Sequence, residues 1–179
     1  VKGSARFGAG ANRLTLSGDA AYEGAAVFGG GNDVMALSGT ATFAGTADFG
    51  GGSDALTLAN TARFTGTLVN GQGLAVSVGG GTLDVGKGAS IASLSIGAAG
   101  TLGVTLDKTG GTGTLIQVAG PASFEKGAKL AVKLASIVDA EGRYVVLRAG
   151  SLSGVGDLTA TTTLLPFLYK GTVAAVGTT

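Results

Sequence analysis

Aromatic residues return at a fixed step of twenty-one along the N-terminal part of this chain. Phe7, Phe28 and Phe49 form one column, and Tyr22, Phe43 and Phe64 form a second. Leu16, Leu37 and Leu58 keep the same step, as do Gly24, Gly45 and Gly66. A repeat of this size is one supersecondary unit that cannot bury an apolar face alone. It implies stacked units rather than a single closed globule.

Each unit contains three short alternating pieces, in the second unit Ala26-Val27-Phe28, Met35-Ala36-Leu37 and Ala41-Thr42-Phe43. The outer residues of each piece are apolar or small, while the middle residue varies: Arg6, Val27 and Asp48 share one column, Thr15, Ala36 and Thr57 another, and Ala21, Thr42 and Arg63 the third. That is the period of a strand with one face in and one face out. Phe28, Leu37 and Phe43 are expected inside; Val27, Ala36 and Thr42 are expected outside. Gly, Ser, Asn and Asp lie between the pieces, where turns need them. A helical reading fails, because the chain holds 35 glycines and each costs about 1 kcal/mol in a helix interior. Three-residue strands gain little by pairing within a unit. They can pair with the same strand of the next unit, about 4.8 Å away. The expectation is an all-β fold: a single-stranded parallel β-helix with rungs of about 21 residues, right-handed by the crossover rule.

The pattern drifts downstream. Leu83 and Val85 fall three periods after Ala20 and Tyr22, whereas Val76 and Val78 arrive one residue early. Pairs continue at Leu94 and Ile96, Leu102 and Val104, and Ile116 and Val118, then Leu130, Val132 and Leu134 alternate with Lys129, Ala131 and Lys133. About eight units fit if the period holds on average.

Composition narrows the function classes. Collagen is excluded by 2 prolines and no three-residue glycine step. A net charge of +1 without clustered Lys and Arg gives no nucleic-acid surface. There is no Cys and no His, so disulfides and thiolate chemistry are out and a serine nucleophile lacks a His partner. No run reaches the roughly 18 apolar residues of a membrane helix. The chain opens on VKGSARFG, within a repeat, and closes on AAVGTT. Both ends read as cuts through a longer protein.

From about Asp139 the glycines thin out and longer apolar pieces appear, Tyr144 to Leu147 and Leu164 to Tyr169, with Asp139, Glu141, Arg143 and Arg148 at the edge. The expected division is 1–138 as rungs and 139–179 as a cap of the same solenoid, because an open last rung would recruit other strands. Tyr144, Leu165 and Tyr169 are candidates for the cap's core. The run GRYVVLRAGSLSGVGDLTATTTLLPFLYKGTVAAV resembles the segment before the barrel in bacterial autotransporters. The likeness rests on Gly142, Tyr144 to Leu147, Ala149-Gly150, Gly154 to Gly156, Leu165-Pro166 and Phe167 to Tyr169. Where that family often places an aromatic after the Gly-rich turn, this chain has Val155 and Leu158. The glycine-rich repeats also resemble autotransporter passenger stalks. The resemblance implies a secreted β-helical stalk at the surface of a Gram-negative bacterium. Its partners would be its own outer-membrane β-barrel and an upstream passenger domain. It also implies an autochaperone-like cap that helps the passenger fold during export.

Three features invite a site. The string GGGNDVMAL is similar to a calcium-binding nonapeptide, whose ion needs several carboxylate and carbonyl oxygens. That motif repeats every nine residues, whereas Asn12, Asp33 and Asp54 step by twenty-one. They are read as stacked Asx turns without a tightly held ion. Gly50-Gly51-Gly52 and Gly79-Gly80-Gly81 lack the Gly-Lys-Ser/Thr of a phosphate loop. Glu125, Lys126, Lys129 and Lys133 are the densest charged set; a lyase-type β-helix enzyme would use such groups, but a solvated face is the simpler reading. No catalytic, cofactor or metal residue is assigned. The expected role is a structural stalk rather than an enzyme, with an adhesin or self-associating surface as the alternative.

Overall fold

The computed structural model describes residues 1–86, 88–106, 115–135, 144–161 and 174. These residues form a parallel β-solenoid, with no α-helix among them. In the first turns, β1 (Lys2–Arg6) and β2 (Arg13–Leu16) are followed by β3 (Ala21–Val27) and β4 (Val34–Leu37). Then come β5 (Thr42–Asp48), β6 (Asp54–Leu58) and β7 (Arg63–Val69). The odd-numbered strands stack on one another and the even-numbered strands do the same, always parallel. Tyr22 lies on Phe43 and Phe43 on Phe64, so the twenty-one-residue columns are real stacks. Their rings are 5.4 and 5.1 Å apart. Phe7, Phe28 and Phe49 stack likewise, at 4.7 and 5.2 Å. Offset ring stacks of this kind add roughly 0.5–1.5 kcal/mol beyond the area they bury.

The inward set is as expected. Phe28, Leu37 and Phe43 are buried, while Val27, Ala36 and Thr42 alternate with them and stay half-buried. The first rung is more open: Phe7, Leu14 and Leu16 are only half-buried, since rungs pack on one side of them alone.

Two expectations are corrected. The pieces around Tyr22 and Ala26 are not separate strands with a turn between them; both belong to β3, which stays hydrogen-bonded in register through Gly24. The glycine bends the strand instead. Gly45 has φ +147°, and a Cβ there would lie 1.8 Å from the Gly24 carbonyl oxygen. Only a residue without a side chain fits this column. The second correction concerns the Tyr22 column downstream. Leu58 pairs with Val78, a step of 20 that confirms the early arrival of Val76 and Val78. Phe64, however, pairs with Leu83, a step of 19, so Leu83 rather than Val85 continues the Tyr22 column. Leu83 then pairs with Leu102, again 19 on, and Leu102 with Leu130, 28 on. Ile116 pairs with Leu147, a step of 31. Rungs of about twenty-one residues thus hold through the first turns, and the later connections lengthen while the inward pairs remain.

Downstream strands are also longer than the repeat suggests. β8 (Leu74–Asp84) stacks on both β6 and β7. After β9 (Ala89–Ile91), β10 (Ser93–Leu106) follows β8 rung on rung. Then β11 (Ile116–Phe124) and β12 (Lys129–Leu134) complete a further turn. In the C-terminal segment, β13 (Leu147–Ser153) pairs with β11 and β14 (Thr159–Thr161) pairs with β12. The described part of that segment thus adds to the same solenoid. Tyr144 is half-buried, and Val146, Leu147, Val155 and Leu158 pack against the core. Asp139, Glu141, Arg143, Leu165 and Tyr169 lie outside the described residues.

Candidate functional site

The turns before β2 and β4 and the first residue of β6 bring Asn12, Asp33 and Asp54 into one ladder. Their spacing puts each side chain over the backbone of the rung below. Asp33 Oδ1 accepts from the Asn12 backbone N–H at 2.7 Å and from Asn12 Nδ2 at 2.9 Å. Asp54 Oδ1 accepts from the Asp33 backbone N–H at 2.8 Å. This is the Asx ladder read from the spacing, with one difference: the two carboxylates are not solvated. Asp33 is 0% exposed and Asp54 3% exposed. Each has its second oxygen, Oδ2, buried without a hydrogen-bond partner. Desolvation by burial pushes the Asp54 carboxyl above its ordinary value of 3.8; the Asp33 N–H opposes that shift, and the Asp33 charge adds to it. The ladder ends at Leu74, which lies in register on Asp54.

The expected charged set does not converge. Glu125 Oε2 accepts from the Ala98 backbone N–H at 3.1 Å, while Lys126 and Lys129 are exposed. Lys133 turns away to Asp84, with Nζ 2.5 Å from Oδ2. Asp84 escaped the sequence reading. Between Leu83 and Val85 it looks like any outward residue, yet it is 6% exposed. Gly103 lies in register on Asp84 and Ala131 on Gly103, so the Lys133–Asp84 pair spans two rungs. A Cβ on Gly103 would come within 3.1 Å of Asp84 Cβ. The signal in the sequence was the glycine, not the acid.

A shallow groove of about 260 Å³ runs over β9, β11 and β13. Ser90, Gln117 and Arg148 stack in register along it, with Gln72 beside them. Among the described residues, no group of three or more His, Cys, Asp or Glu is placed to hold a metal ion. No described helix is long and apolar enough to cross a membrane, which says nothing of membrane strands. Comparison with protein-family models, with curated proteins and with solved structures finds no match to this chain.

Proposed function

We propose that this chain is the stalk of an autotransporter passenger, displayed at the surface of a Gram-negative bacterium. Its C-terminal segment promotes folding and export. The observation that carries the reading is the parallel stacking of β1 to β14 with a kept interior and a varied exterior. An extended array of this kind holds its ends apart, and each rung is stabilised mainly by its neighbours. The motif from Gly142 to Tyr169 supplies the tie to export. In this reading the chain's partners are a membrane barrel that follows it and a passenger domain that precedes it.

The test is surface display. The chain would be fused between an N-terminal epitope and an outer-membrane barrel, in versions with and without residues 139–179. Epitope on the cell surface only when 139–179 is present is the expected result. Equal display of both versions would remove the export role, and display of neither would remove the stalk reading. The groove favours a second reading, an adhesin or self-associating surface. Its in-register row of Ser90, Gln117 and Arg148 offers repeated polar contacts on an exposed face. Cell clumping that is lost with Gln117→Ala and Arg148→Ala would favour that reading.

A further inference from the structure

The Asn12–Asp33–Asp54 ladder changes chemistry between its first step and the next two. Asn12 Nδ2 donates to the carbonyl oxygen of Gly8 at 2.8 Å and also to that of Gly10. The first rung therefore offers a niche of backbone acceptors, and an amide N–H fills it. Twenty-one and forty-two residues on, the equivalent glycines are Gly29 and Gly31, then Gly50 and Gly52, and the equivalent side chains are Asp33 and Asp54. In both steps Oδ1 keeps the role of accepting an N–H from the rung below. By the twenty-one-residue equivalence, Oδ2 is the counterpart of Nδ2. An ionised Oδ2 can only accept, and these are the two oxygens left buried without a partner.

We propose that the Asp33–Asp54 pair holds a proton at neutral pH, so that a carboxylic acid O–H takes the donor role of the Asn12 amide. The proton resides on Asp54. Asp33 is better supplied as an anion, because its Oδ1 receives two donors and that of Asp54 receives one. Two adjacent carboxylates in a dry site favour one proton between them. Burial raises the Asp54 carboxyl most, the Asp33 N–H opposes it and the Asp33 charge adds to it. Leu74 closes the ladder on the other side with an apolar residue. A hard cation would meet the same oxygens. It is the less favoured occupant, because no group of three or more acid or imidazole ligands forms among the described residues and the free oxygens are closed to solvent.

The sign of the linkage follows. A carboxyl whose folded-state pKa is raised contributes stability that is complete below its unfolded value, about pH 4. That stability is lost as pH rises through the folded value. Asp54→Asn supplies the donor permanently. In the full chain its melting midpoint should match wild type near pH 4 and exceed it by about 8–16 °C at pH 8. A variant midpoint below wild type by the same margin at every pH would overturn the proposal. A calcium-dependent rise of the wild-type midpoint at pH 8, absent in Asp54→Asn, would replace the proton by a cation. Carbon-13 labelling of aspartate in the wild-type protein reads the state directly, whether or not the variant folds. One carboxyl carbon should keep its protonated shift at pH 7, and ionised shifts for all of them would refute the assignment.

Discussion

Thr42 and Phe43 are neighbours in β5 with opposite fates. Phe43 is 1% exposed and sits between two other rings, so Phe43→Ala should cost about 3–5 kcal/mol. Thr42 is on the outer side, and Thr42→Ala should stay within about 0.5 kcal/mol. Urea midpoints of the two variants check this; equal losses would place the wrong face inside. Gly45→Ala should be as costly as a core truncation although it adds only a methyl group. It puts a Cβ against the Gly24 carbonyl oxygen at a φ that other residues rarely adopt. A Gly45→Ala protein as stable as wild type would show that the strand can straighten there. The inward columns were legible because alternation and the twenty-one-residue step point to the same residues. The bend at Gly45 was not, since a glycine that kinks a strand and one that makes a turn look alike in sequence. Burial of Asp33 and Asp54 was also hidden: Asx residues next to glycines read as solvated turns.

At the scale of elements, the Lys133–Asp84 pair ties β12 to β8 across the intervening β10. Lys133 is partly exposed, so its attraction is screened. Asp84 is not, with a side chain 8% exposed. Lys133→Met should therefore destabilise by about 1–3 kcal/mol, mainly by leaving a buried acceptor without its partner. Asp84→Asn in the same chain should recover part of that loss. A double-mutant cycle on the unfolding free energy measures the coupling, and additive effects would mean the pair contributes nothing of its own. No sequence step linked these two residues, forty-nine positions and two rungs apart. The drift of rung length had the same cause. Leu83 and Val85 are both inward and apolar, so the pattern alone could not say which of them continued the Tyr22 column. Hydrogen-bond register decided it.

For the whole molecule, removing residues 139–179 would leave β11 and β12 each with one open edge, since β13 and β14 are their partners on that side. Strand edges of that kind recruit other chains. The 1–138 fragment should aggregate or remain unfolded, as read by sedimentation and by circular dichroism after refolding. A fragment that refolds as a soluble monomer would show that the array closes itself. The general architecture was open to sequence reasoning because one unit, repeated, has few ways to bury its apolar face. The later rungs were not, because their connections differ in length and only their inward pairs recur. Rung length has a mechanical consequence. The strands lie across the stack and the hydrogen bonds run along it, so tension between the two termini loads each end strand as a peeling edge rather than in shear. Such a chain should extend in a ladder of modest steps, one rung at a time. With about 3.4 Å per extended residue, a rung peeled from the N-terminal end should release roughly 70 Å, and one from the C-terminal end roughly 100 Å. A stretched molecule would therefore report, by the size of each step, which of its two ends is giving way.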